Sequence, residues 1–234
     1  MNKVIALINA GGVGSRFNSD IPKQYMSLNN KPIILYCLEL FQLNENIDEI
    51  YCVCDKKYFH LIETICKEHN INKFVNNIQC GSTANESRFN GIKHLINKIN
   101  NDDIIIMHDA VRILTKNETI NKIVINAINH NIAVCGQTIN ANIFVNVNDK
   151  VYYDDTIPSN GIFINSMPFG CKYKILKDSF DAAFLNGDIS NSAGPMGIVA
   201  KYYNINSFNK IEIDFIETLK ITYKEDIKII ENLL

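Results

Sequence analysis

No run of apolar residues in this chain approaches the length of a membrane span, so a transmembrane helix is excluded. No surplus of one charge is present either. The 23 Lys and Arg against 25 Asp and Glu leave a formal charge of -2, which gives no field for nucleic acid, so a phosphate ligand must be held by a few placed cations. No linker, internal repeat or low-complexity stretch divides the chain. A secretory leader is not expected, because glycines interrupt the first apolar stretch before any small-residue cleavage site. The seven cysteines are odd in number and scattered through strand-like and helix-like positions. They read as reduced, buried thiols of a cytoplasmic protein rather than as a disulfide framework. Cys52 and Cys54 are expected on opposite faces of one strand, which would spoil a shared metal site.

What is present is apolar content of 47% over 234 residues, enough for one substantial core and a single α/β domain spanning 1–234. Strand and helix signals alternate, the pattern of a parallel sheet covered by helices. Strands are expected at 4–8, around Tyr51, at 73–78, at 104–107 and near Ala133; helices are expected at 32–41, 58–69, 85–99 and 117–127. Residues 140–155 break the rhythm. Alternating apolar positions flank Asn148-Asp149, which reads as a hairpin, either a solvent-facing flap or a protruding arm at about 140–160.

The first strand opens directly into Ala10-Gly11-Gly12-Val13-Gly14-Ser15-Arg16, with Pro22-Lys23-Gln24-Tyr25 shortly after. Glycines let bare backbone N–H groups approach a polyphosphate, and Arg16 and Lys23 can neutralise its charge. A tight turn with solvated basic residues is the plainer alternative. Two familiar phosphate loops do not fit. The dinucleotide fingerprint needs a third Gly where Phe17 stands and an acid nearer than Asp55. The Walker loop needs a Gly-Lys-Ser/Thr triplet, which the chain lacks.

GGVGSRF followed by PKQY resembles the signature of the cytidylyltransferases that act on sugar-alcohol phosphates, the 2-C-methyl-D-erythritol 4-phosphate and ribitol 5-phosphate enzymes. That resemblance implies a three-layer, Rossmann-like nucleotidyltransferase fold with a mostly parallel sheet. It also implies CTP as substrate, Mg²⁺ as cofactor, and a homodimer in which the hairpin arm clasps the second subunit. Arg16 and Lys23 would hold the β- and γ-phosphates, with Ala10, Gly11, Gly12 and Gly14 around the nucleotide.

Three further segments follow in the family's order. Met107-His108-Asp109-Ala110-Val111-Arg112 closes the apolar strand and matches the family's HDAxR. Ligands of open parallel sheets sit beyond the carboxyl ends of the strands, and Asp109 there is either a Mg²⁺ ligand or the cap of a turn. Arg112 would support a nucleotide or substrate phosphate, and His108 reads as structural. Gly81, Ser87 and Gly91 match the segment that contacts cytosine and ribose, but Cys80 replaces its first Gly and Ala84 its Arg. Ser82 and Thr83 serve equally as helix caps. Lys220, read as lying in an amphipathic strand before Glu225-Asp226, matches the Lys that reaches the α-phosphate; Thr218 stands where the family has Asn.

The acceptor side departs from the pattern. Ser159 or Asn160 stands near an expected Arg, Asn142 near an expected Thr on the arm, and Met167-Pro168-Phe169-Gly170 in place of Thr-Pro-Gln-x-Phe. A lost phosphate cation needs a substitute, and Lys172, Lys174 and Lys201 are the candidates. The resemblance implies a CTP-dependent enzyme making a CDP-alditol and pyrophosphate, with a ribitol 5-phosphate-like acceptor for a surface polymer. Alternatives are 2-C-methyl-D-erythritol 4-phosphate, of isoprenoid synthesis, as acceptor, or a nucleotide-binding regulator that has lost transfer activity.

Overall fold

The structure is a computed structural model that describes residues 2–234 except 13, 15, 16, 18, 20, 140–143, 149, 154–161, 191–193 and 206. Its first half is a run of strand–helix units: β1 Val4–Asn9, a short ribbon of β2 Ser27–Leu28 and β3 Lys31–Pro32, α1 Ile33–Leu43, β4 Glu49–Cys54, α2 Phe59–Glu68, β5 Phe74–Gln79, α3 Ala84–His94, β6 Ile104–Asp109 and α4 Asn117–His130. The second half holds β7 Ile132–Ile139, the hairpin β8 Phe144–Val147 and β9 Lys150–Tyr153, β10 Ile162–Lys172, α5 Tyr173–Leu185, α6 Pro195–Tyr202, β11 Lys210–Glu212 and α7 Lys224–Glu231.

Seven strands form one sheet in the order β11-β7-β10-β6-β1-β4-β5. All neighbours run parallel except β10, which is antiparallel to both β6 and β7. The two-residue period of each strand divides the core into two layers. Val4, Ala6 and Ile8 of β1 face α1, α2 and α4, whereas Ile5 and Leu7 face α3, α5 and α6. The result is the three-layer, mostly parallel α/β fold that the alternating sequence pattern implies.

Several expectations need correction. The helix expected at 85–99 closes at His94, because Asn97 takes a left-handed φ of 61° that a continuing helix does not allow. Every described non-glycine residue with positive φ is an Asn, so this Asn-rich chain puts Asn where turns would otherwise call for Gly. Cys52 and Cys54 share one face, as residues two apart on a strand must, and both pack with Cys37 and Cys66 in the layer beneath α1 and α2. They still form no metal centre: no group of three His, Cys, Asp or Glu that could hold an ion occurs among the described residues. Burial pushes the thiols of Cys37 and Cys66 up to about 12, which keeps them protonated and inert.

The hairpin is present as expected, with Phe144 opposite Tyr153 and Asn148 in its turn at positive φ. It is a two-stranded sheet of its own, outside the ladder of the main sheet. No helix among the described residues is long and apolar enough to cross a membrane.

His108 sits fully buried on β6, its ring edge against Phe41 and its Nε2 bonded to the Arg112 carbonyl at 3.0 Å. Burial pulls its pKa from 6.5 down to about 4, so the ring is neutral at neutral pH. A His of depressed pKa contributes stability that is present above pH 6.5 and lost as pH falls toward 4. The full difference is roughly 3 kcal/mol. Urea titrations at pH 7, 5.5 and 4.5 are expected to show this decline, and His108→Gln is expected to flatten it.

Candidate active site

The chain order places the site. From β1 the chain moves outward to β4 and β5, then returns to the other side of β1 as β6, so the connections leave β1 and β6 in opposite directions. A crevice opens at such a switch point, at the carboxyl ends of the strands. Asn9 and Asp109 are register partners at those ends. A cavity of about 650 Å³ lies there, the size of a small-molecule site.

One wall is the glycine loop. Ala10, Gly11, Gly12 and Gly14 line the cavity, as does Lys23 from the short 3₁₀ turn Lys23–Tyr25. Lys23 is only 8% exposed, so it is a placed cation and not a solvated one. Gln24 is more buried still, and its amide donates to the carbonyls of Ala10 at 2.6 Å and Gly12 at 3.0 Å. The Tyr25 hydroxyl donates to Ala10 as well. An anion-binding loop must keep its carbonyls off the ligand, and the Gln-Tyr of PKQY engages two of them. Arg16 lies outside the described residues, and so do Asn142 and Ser159 of the acceptor side.

Gly11 is required by close approach: a Cβ there would stand 2.5 Å from the Cβ of Cys80. The glycine expected at 80 is a cysteine, so the side chain that Gly11 cannot have has been taken up by its neighbour. Gly11→Ala is therefore expected to lower thermal stability by an overpacking cost of about 1–3 kcal/mol. The double substitution Gly11→Ala with Cys80→Gly is expected to recover most of it in a melting experiment.

The second wall begins at Gly81, where a Cβ would meet Glu86 at 2.4 Å, and continues into α3. Thr83 caps the helix: its hydroxyl accepts from the Glu86 N–H at 3.1 Å, and the Glu86 carboxylate accepts from the N–H groups of Ser82 and Thr83. The capping alternative thus holds for Thr83, although Ser82 and Thr83 both line the cavity. Ser87 also lines it, but its hydroxyl accepts from Gly81 N–H and donates to the Thr83 carbonyl, which fixes the turn.

The floor is Asp109. Lys220 Nζ donates to its Oδ2 at 2.8 Å, Arg88 approaches Oδ1 at 3.4 Å, and Arg112 Nε lies 3.5 Å from Oδ2. Burial alone would raise this carboxyl, but the charges of Lys220, Arg88 and Arg112 outweigh it and hold Asp109 well below the usual carboxylate range. Lys220 arrives by an irregular segment between the 3₁₀ turn Phe215–Thr218 and α7, not by the strand expected from the sequence. Buried Glu217 pins that turn to α4 by accepting from Lys116 N–H and the Thr119 hydroxyl, and Ile221 N–H bonds to the Val111 carbonyl. The structure does not bring Arg112 to the cavity wall. Its guanidinium donates to the Thr218 carbonyl, tying the Lys220 segment to the Asp109 turn.

None of the candidate replacement cations reaches the cavity. Lys172 and Lys174 fall at the amino end of β6, opposite the site, because β10 runs antiparallel; they pair with Asp102 and Asp178. Lys201 pairs with Asp188. Arg88 and Gln24 are the residues that sequence reasoning missed. No local signal marks the first, one charge among several on α3, whereas the PKQY motif itself could have flagged the second.

A sequence model described as IspD, 2-C-methyl-D-erythritol 4-phosphate cytidylyltransferase, matches residues 4–234. The chain is 32% identical over 180 residues, 77% of its own length and 76% of the relative's, to a ribitol-5-phosphate cytidylyltransferase of Lacticaseibacillus paracasei. It is 27% identical over 238 residues, 100% of its length and 97% of the relative's, to a 2-C-methyl-D-erythritol 4-phosphate cytidylyltransferase of Lachnoclostridium phytofermentans. Its fold superposes with a TM-score of 0.80 on the crystal structure of Francisella tularensis 2-C-methyl-D-erythritol 4-phosphate cytidylyltransferase, at 22% identity and with 100% of both chains covered.

Proposed function

Since the chain belongs to the IspD family of cytidylyltransferases, we propose that it couples CTP to a ribitol 5-phosphate-like alditol phosphate, releasing pyrophosphate and a CDP-alditol. The observation that carries this reading is the constellation at the β1/β6 crevice. A glycine loop with buried Lys23 on one side faces Asp109 paired to Lys220 at 2.8 Å on the other. An acceptor of the ribitol type is supported by the relative at 32% identity and by the altered acceptor residues of the sequence.

In this reading an acceptor phosphate oxygen attacks the α-phosphorus in line. The new P–O bond forms as the bond to the β-phosphate oxygen breaks, and the electron pair leaves with pyrophosphate. A phosphate is already ionised at neutral pH, so no general base is needed. The chain contributes position and charge. Lys220 takes the α-phosphate, while Lys23 and Arg16 take the β- and γ-phosphates and the charge on the leaving group. The donor set suits Mg²⁺, which takes one or two carboxylates and completes its shell with phosphate oxygens and water. Asp109 is the carboxylate that would hold it, on giving up part of its pairing with Lys220, Arg88 and Arg112, and no all-protein cage stands among the described residues. Bound there, Mg²⁺ would neutralise triphosphate charge. We further propose a cytoplasmic homodimer joined through the hairpin arm, to be checked by light scattering.

Pyrophosphate release from CTP, screened against ribitol 5-phosphate, 2-C-methyl-D-erythritol 4-phosphate and other alditol phosphates, tests the reading. Ribitol 5-phosphate is expected to give the highest kcat/KM. Preference for 2-C-methyl-D-erythritol 4-phosphate would assign the chain to isoprenoid synthesis. CTP binding without turnover on any acceptor would mark a nucleotide-binding regulator.

A further inference from the structure

Arg88 lies on α3, is 8% exposed and lines the cavity. Its Nη1 donates to Asn85 Oδ1 at 2.8 Å and its Nη2 approaches Asp109 Oδ1 at 3.4 Å. Its Nε–H is buried and meets no hydrogen-bond partner among the described residues. A buried guanidinium with an unmet donor on a cavity wall is costly unless something else uses it.

The charge balance points the same way. Asp109 is a single carboxylate ion-paired with three cations: Lys220, Arg88 and Arg112. Arg112 is not on the cavity wall and is spent on the Thr218 carbonyl. One carboxylate cannot neutralise three cations, so the cluster keeps an excess of positive charge, and Lys220 and Arg88 are its cations on the cavity lining.

Helix geometry explains how the side chain gets there. Helical side chains lean toward the N-terminus, so the Arg88 guanidinium covers the preceding turn, which its bond to Asn85 demonstrates. We propose that Arg88 is a substrate-contacting cation that takes the same phosphate as Lys220. It rests on the reading of the cavity as a CTP site.

Isothermal calorimetry of Arg88→Gln and Arg88→Lys with CMP and with cytidine separates contact from architecture. Arg88→Gln is expected to weaken CMP binding roughly ten- to a hundredfold, the size of one charge-assisted hydrogen bond, and to leave cytidine within twofold. Arg88→Lys is expected to recover part of the CMP affinity. Equal losses for CMP and cytidine, or no loss for either, overturn the proposal. Should Arg88→Gln fail to fold, Arg88→Lys decides alone: a CMP-specific loss supports the contact, and unchanged or equally weakened binding of the two ligands overturns it. A wild-type chain that binds CTP while the variants behave like it defeats this inference only. A wild-type chain that binds neither CTP nor CMP defeats the CTP site as well.

Discussion

Asp109→Asn is expected to abolish transfer and to lower the free energy of unfolding by about 3–5 kcal/mol, the cost of removing one partner from a buried ionic group. The side chain is buried, only 9% exposed, and its carboxylate is the shared counter-charge of Lys220, Arg88 and Arg112. Asn matches its shape and can still accept a bond from Lys220, but it leaves three cations crowded without an anion. Urea denaturation measures the stability loss, and pyrophosphate release measures the turnover. Adding Arg88→Gln to Asp109→Asn is expected to return part of the stability by removing one repelling charge, with no return of activity. An Asp109→Asn chain as stable as wild type would show that the cluster is not electrostatically coupled. In that case Asp109 would be an ordinary turn residue.

Lys23→Ala is expected to reduce kcat by on the order of 10²–10³, as for the loss of one preorganised donor to developing charge. The fold should survive, because the residue that organises the glycine loop is its neighbour Gln24, whose two bonds to Ala10 and Gly12 the substitution leaves in place. Steady-state kinetics with a melting curve checks both halves. Wild-type turnover, or collapse of the fold, would remove Lys23 from the leaving-group side. The contrast is Gln24→Ala, which should disturb the loop itself.

The first half of the chain was legible because each of its strands is a local apolar run bounded by turn residues. Ile104 to Met107, an apolar run bounded by acids, read as a central buried strand, and the loop at Gly11 announced itself by composition. The end of α3 was less so, since apolar spacing continues past His94 while Asn97 alone breaks the backbone. Lys220 was found by its motif, but its setting was not: the segment carrying it is held by Glu217, Arg112 and Ile221, contacts of about a hundred residues' separation that no local period encodes. Arg88 escaped for a related reason. On the helix it is one charge among several, and only the return of β6 beside β1 brings Asp109 to it.

The pairing of β7 with β10 has a consequence for how such enzymes can diverge. Ile139, the last residue of β7, is the ladder partner of Ile162, the first residue of β10. The chain therefore leaves and re-enters the sheet at points one strand spacing apart, and everything between them is hung on a doorway about 5 Å wide. Lengthening an excursion between fixed ends costs only the logarithm of its length. The segment that bears the arm, together with Asn142 and Ser159, can thus be exchanged as a cassette. The crevice between β1 and β6, with its glycine loop and its Asp109 cluster, is left in place while the acceptor changes.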